Sequence, residues 1–127
     1  MVEQKQFMEL KVPADVEYAL IVRMALAGYG MVAGLEIGLI DDLRTVTDEC
    51  FDCLLHQGLE PQEIQVLARC GEGRLWCEFC AISTVKKAIP PLQDQEVTRC
   101  ILETLLPDVR LGGGEEGICR IEFSMPI

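Results

Sequence analysis

Hydrophobic and polar residues alternate one by one at a few places along this chain and fall into a three-to-four-residue period at others. FMELKVP, Phe7 to Pro13, sets Met8, Leu10 and Val12 against Glu9 and Lys11, which is the pattern of a half-buried strand stopped by a proline. Asp15 is placed to cap the next stretch, VEYALIVRMALAGYGMVAG, where Val16, Ala19, Leu20, Arg23, Met24 and Ala27 recur at helical spacing. Gly34 closes that helix, because glycine enters the left-handed conformation that ends helices at little cost. A second helix is predicted from about Glu36 to about His56, with Ile37, Ile40, Leu43, Val46, Cys50, Cys53 and Leu54 as its apolar stripe. Alternation returns in EIQVLARC and RLWCEFCAI on either side of Gly71 to Gly73, which reads as a hairpin. STVKKAIPPLQDQ breaks both periods and reads as a loop. VTRCILETLL resumes helical spacing up to Pro107, and DVRL, GGGEEG and ICRIEFSM read as strand, glycine-rich turn and strand.

The element order is therefore β-α-α-β-β-loop-α-β-β. Hairpin-linked strands make a mostly antiparallel sheet, and the amphipathic helices must bury their stripes against one face of it. The fold class is α+β, a two-layer α/β sandwich. At 127 residues the chain is expected to be one domain, 1–127, with an ordinary core.

Composition narrows the function classes. Half of the residues are hydrophobic and a quarter charged, which is globular composition. The formal net charge of -10 disfavours a nucleic-acid or anionic-membrane surface, since phosphates would be repelled. MVEQKQFMELKVP has no apolar signal-peptide region, and the longest uncharged stretch, Met24 to Leu35, falls short of the about 20 apolar residues a bilayer needs. Seven cysteines, an odd number without secretory context, point to reduced thiols and a cytoplasmic protein.

The cysteine spacing raises two chemistries. Cys50-x2-Cys53 and Cys77-x2-Cys80 superficially form a zinc ribbon, and TVTDECFDCLLHQG also holds the single histidine, His56. Zinc needs ligands that converge, whereas residues three apart on a strand point to opposite faces, which separates Cys77 from Cys80. Cys50 and Cys53 lie on the helix stripe, where free cysteine acts as a small hydrophobe. A redox pair would sit at a helix N-terminus, where the dipole lowers the thiol pKa, and this pair sits near the other end. No metal site is expected, and a CxxC zinc or redox protein is the least favoured reading.

MELKVPADVEYALIVRMALAGYGMVAGLEIGLIDDLRTVTDECFDCLLH resembles the N-terminal half of the anti-sigma-factor serine kinases, members of the GHKL, histidine-kinase-type ATPase superfamily. The shared features are a strand ending in proline, EY…IVR..L.G on the first helix, a glycine turn at Gly34 and I.DL..V..E on the second helix; CILETLLPDVRL resembles the last helix and following strand. The resemblance implies the Bergerat α/β sandwich. It also implies an E-x-x-x-N box, in which the glutamate is general base toward the phosphorylated hydroxyl and the asparagine ligates Mg²⁺. Glu49 occupies the glutamate position and Cys53 the asparagine position. A thiol is a poor ligand for this hard ion. The aspartate that accepts the adenine amino group is replaced by Ala81, and the first glycine of its D-x-G-x-G element by Ser83. The stretch in the lid position, PPLQDQEVTRC, has no glycine.

The expectation is thus a degenerate, pseudo-kinase member that acts by protein–protein binding in a partner-switching system, with no cofactor. Its partner would be a sigma factor or an anti-anti-sigma-like antagonist, contacted through Arg23 on the first helix, and the resemblance further implies a homodimer. The alternative is a divergent ATP- and Mg-dependent serine/threonine kinase that uses Glu49 as base, with Asp52 or Asp48 for the metal.

Overall fold

The computed structural model describes residues 7–57, 59–86, 95–106, 108–114 and 117–127. Strand β1, Phe7–Pro13, runs to the proline and hands over to Asp15, whose carboxylate accepts the Glu17 N–H at 3.1 Å. A short 3-10 turn, Val16–Tyr18, leads into helix α1, Ala19–Ala33. Gly34 ends it at φ 92°, and its N–H returns to the carbonyls of Gly30 and Met31. Helix α2 spans Ile37–Leu55. Then come β2 (Leu59–Glu60), β3 (Glu63–Gly71), β4 (Arg74–Ile82), β5 (Val85–Lys86), helix α3 (Gln95–Leu105), β6 (Arg110–Gly114) and β7 (Gly117–Pro126).

The main sheet has the order β1-β3-β4-β7-β6 with every described pair antiparallel. Side-chain alternation divides it into two faces. One row across all five strands, Leu10, Val66, Phe79, Ile121 and Leu111, points at the helices. The adjacent row, Glu9, Leu67, Glu78, Glu122 and Arg110, points the other way. Phe51 of α2 meets Phe79 edge-on at 6.3 Å, and Phe79 stacks on Phe123 at 6.2 Å, which locks the helix layer to the sheet. Leu102 and Leu106 bring α3 into the same core. The molecule is the expected α+β sandwich, with three helices among the described residues on one face of an antiparallel sheet.

Four expectations need correction. The stripe expected on α1 is not its buried face. Ala19, Val22, Leu26 and Gly30 face the core, while Leu20 and Met24 are 53% and 68% exposed. On α2, Ile37 is exposed, whereas Thr47 and Phe51 are buried, Thr47 by giving its hydroxyl to the Leu43 carbonyl at 2.8 Å. Gly112 to Gly114 lie in strand β6 and not in a turn. Gly113 pairs with Ile118 across a register shift, where a side chain would strike the Gly117 carbonyl, so the run lets two backbones close up. Finally, the loop expected at STVKKAIPPLQDQ contains β5, which pairs with β2 as a second small sheet, and its last residue, Gln95, opens α3. Residues 87–94, which include the first five residues of the lid position, lie outside the described residues, and the rest of that stretch belongs to α3.

By length and composition alone, Val16–Ala33 is long and apolar enough to cross a membrane. In the fold it lies along α2, with its outer side bare.

Candidate functional site

Helix α2 brings Glu49 and Cys53 one turn apart, so they share a side of the helix. Glu49 is half-buried, and its carboxyl pKa is raised, first by burial and then by the neighbouring Asp52 and Asp48 charges. Cys53 is 1% exposed. Burial pushes its thiol up to about 11, only partly countered by Arg99 of α3, while Asp52 and Glu49 push it further up. A thiol that keeps its proton at neutral pH cannot serve a hard divalent cation, which wants oxygen donors. The residues at these positions therefore do not fit a magnesium nucleotide.

The two substitute metal ligands are engaged elsewhere. Asp48 accepts Arg23 Nη1 at 3.2 Å, and Asp52 lies 3.7 Å from His56 Nδ1 at the helix end. Both line a hollow of about 460 Å³ between the start of α1 and α2, together with Val16, Leu20, Arg23 and Phe51. Glu49 and Cys53 are not among its lining residues.

Arg23 thus occupies the rim of a hollow and not an open helix surface. Its guanidinium is incompletely used: Nη1 serves Asp48, but Nε is buried without an acceptor. An unmade bond of this kind costs about 1–3 kcal/mol. Beside it, α1 exposes Leu20, Met24, Met31 and Val32, the last two at 67% and 88%. The expected partner residue and an unpartnered apolar face are therefore contiguous on one helix.

Ala81 sits on the helix-facing row of β4, opposite Ile64, and offers no side-chain acceptor. Ser83, just beyond β4, is exposed at φ 57°, a left-handed conformation that costs a side-chain-bearing residue. The position that the resemblance equates with a glycine has a backbone angle that glycine adopts freely. Cys77 is buried in the core, while Cys80 points to the opposite face. Among the described residues no three His, Cys, Asp or Glu side chains converge to hold a metal ion.

Sequence reasoning missed Asp48 as the mate of Arg23, because 25 residues separate them and only the α1–α2 packing joins them. It also missed Gln57. This buried amide accepts the Ile118 N–H at 2.6 Å and donates to the Ile118 carbonyl, acting as one extra strand residue at the start of β7. No pattern in the chain marks that pairing.

No protein-family model matches the chain, and no curated protein does either. Among solved structures, it is similar to the crystal structure of the RsbU and RsbW domains of Rv1364c from Mycobacterium tuberculosis, with a TM-score of 0.73 at 16% identity. The likeness covers 96% of this chain and 32% of that one, so the chain spans about a third of the neighbour's length. At this identity it is the fold that is shared.

Proposed function

We propose that the protein is a regulatory binding module of the partner-switching kind, which holds a protein partner on its helix layer and does not transfer phosphate. The observation that carries this reading is the bare apolar side of α1 next to an incompletely bonded Arg23. Monomeric proteins rarely leave a contiguous apolar patch of this kind uncovered unless something binds there. The acidic surroundings, Glu17, Asp41, Asp48 and Asp52, favour a partner whose contact surface is apolar with a basic rim. A sigma factor or an anti-anti-sigma-like antagonist is the partner class this reading names, in a cytoplasmic setting and without ATP or magnesium as cofactor.

The decisive experiment pairs two measurements on the purified chain. Addition of magnesium and ATP is expected to leave the melting temperature unchanged, and candidate sigma factors or antagonists are expected to bind. Met24→Glu and Arg23→Glu should each weaken that binding at least tenfold. A clear ATP-induced stabilisation would sink the non-catalytic part. Flotation of the chain with phospholipid vesicles, abolished by Met24→Glu, would reassign the same face to a membrane.

The kinase alternative has one observation in its favour, the raised pKa of the half-buried Glu49 carboxyl, which is the direction a general base needs. Transfer of labelled phosphate from ATP to a candidate antagonist, lost in Glu49→Gln, would establish it.

A further inference from the structure

The face of the sheet turned away from the helices is richer in basic residues than the rest of the molecule. The whole chain has 11 basic and 21 acidic residues, yet this face gathers Lys11, Arg69, Arg74, Arg110 and Arg120. Side-chain alternation also turns two large apolar residues of the central strands outward, Leu67 of β3 and Trp76 of β4. The register sets Phe7 opposite Arg69 and Arg69 opposite Trp76, so an aromatic ring stands on either side of one arginine. Phe7, at the sheet edge, is 57% exposed.

These side chains, with Arg110 of β6, line a hollow of about 490 Å³. Small-molecule sites run to about 300–1,000 Å³ and join apolar walls to a few charged groups. Three acids share the lining, Glu78, Asp108 and Glu122, and all three are engaged. Asp108 accepts the Ser124 hydroxyl and lies 3.6 Å from Arg74. Glu78 lies 3.5 Å from Arg120 and shares a hydrogen bond with Glu122. Arg69 and Arg110 differ, because among the described residues neither forms an ion pair. The Arg69 guanidinium sits 5.1 Å from the centre of the Trp76 ring. The indole N–H is tied to the Gly71 carbonyl at 3.2 Å, which fixes the ring as a platform.

We propose that this hollow binds a small aromatic carboxylate, its flat body against Phe7, Leu67 and Trp76 and its carboxylate held by Arg69 and Arg110. A guanidinium stacked on a ring keeps its N–H edge free for two parallel bonds to a carboxylate. Aromatic rings gain from offset or edge-on contact with an indole, which favours a flat ring system over an aliphatic chain. The acids in the lining set the charge of the ligand. Two uncommitted arginines balance a single negative charge, whereas a dianionic phosphate would be repelled by Glu78, Asp108 and Glu122. The size of the patch excludes larger partners, since three apolar side chains fall far short of the about 800 Å² per partner that a stable protein contact uses. The site does not depend on the partner reading above, which concerns the opposite side of the molecule.

The probe is 2-naphthoate, titrated into the isotope-labelled full chain and followed by two-dimensional NMR. Trp76 is the sole tryptophan, so its indole N–H gives one cross-peak that reports on the hollow directly. At ordinary ligand efficiency a molecule of this size binds with a dissociation constant on the order of 1 mM, so the peak should move and approach saturation by ~5 mM. The neutral 2-naphthamide, of the same shape, should bind at least fivefold more weakly, and Arg69→Gln and Arg110→Gln should each weaken naphthoate binding to a similar degree. Lys11→Gln, on the same face but outside the lining, and Met24→Glu on α1 should leave it unchanged. An unmoved indole peak overturns the proposal, as does equal binding of the naphthamide or an equal loss in Lys11→Gln. Inorganic phosphate that moves the peak as far as naphthoate overturns it too, by showing a site for any anion. The naphthamide comparison needs no substitution, so it decides even where a variant fails to fold.

Discussion

Glu72 and Ser83 both hold left-handed backbone angles, φ 55° and φ 57°. Glu72 and Gly73 form the two-residue turn between β3 and β4, and positive φ at both central positions is what a type I′ hairpin requires. Glutamate is a poor choice there, because its Cβ crowds the following carbonyl. Glu72→Asn should therefore stabilise the fold by about 0.5–1 kcal/mol in urea unfolding, and Ser83→Gly by a similar amount, since glycine adopts this conformation without strain. Equal or lower stability in both variants would mean the strain is relieved elsewhere. The cysteines separate in the same residue-by-residue way. Burial pushes the Cys77 thiol up to about 12 and Cys53 up to about 11, whereas Cys70 and Cys100 are exposed. Since the thiolate is the reactive form, iodoacetamide at pH 8 should label Cys70 and Cys100 first and leave Cys50, Cys53 and Cys77 until the chain unfolds, a sequence mass spectrometry can follow.

At the scale of elements, Gln57 joins the end of α2 to the start of β7. Its amide satisfies both backbone groups of Ile118, and Gly117 is pressed so close that a Cβ there would lie 2.5 Å from the Gln57 side-chain oxygen. Gln57→Leu keeps the volume and leaves two part-buried backbone groups unpaired, so it should cost about 2–3 kcal/mol, read as a lower urea midpoint with unchanged slope. None of this could be seen in the chain, because the pairing spans 61 residues. What the pattern did carry was the order of elements and the strand alternation. Polar and apolar positions on β1, β3 and β4 have a period of two that admits one phase only. Helix α1 shows the opposite case. From Met24 to Ala33 it has no charged residue, so helical spacing is satisfied by several faces and the burial phase is undetermined. The face that wins holds Gly30, where the bare backbone accepts Leu35 closely. Glu49, Cys53 and Ala81 were singled out through resemblance alone, and α2 sets the first two one turn apart. The Arg23–Asp48 pair and the hollow beside it became visible only with the packing of α1 on α2.

The whole molecule carries its negative charge unevenly, and this shapes how its stability should follow pH. Glu49 and Glu78 both have carboxyl pKa values raised above the ordinary value, chiefly by burial, then by Asp52 and Asp48 for the first and by Glu122 for the second. A raised folded pKa means that the folded state holds its proton more tightly than the unfolded chain. Its stabilising contribution is complete below the unfolded value near 4.5 and is lost as pH rises through the folded value. Acidification from pH 7 toward 5 should therefore raise the melting temperature, contrary to the usual acid weakening of proteins rich in paired carboxylates. Reduced repulsion among the α2 acids acts in the same direction. The buried thiols of Cys53 and Cys77 set the other limit. With folded values of about 11 and 12 against an unfolded value of 9.0, their contribution begins to fall above about pH 9. Glu49→Gln removes one of the two carboxyls whose proton the folded state favours. At pH 7 this variant should be more stable than wild type by a few tenths of a kcal/mol, the size of one like-charge helix contact. That is roughly 1–2 °C in melting temperature for a chain of this length. Its own rise between pH 7 and pH 5 should be smaller than wild type's. A variant that melts lower at pH 7, or shows the full wild-type rise on acidification, would show that Glu49 is held by an attractive partner and not merely crowded by Asp48, Asp52 and the helix layer.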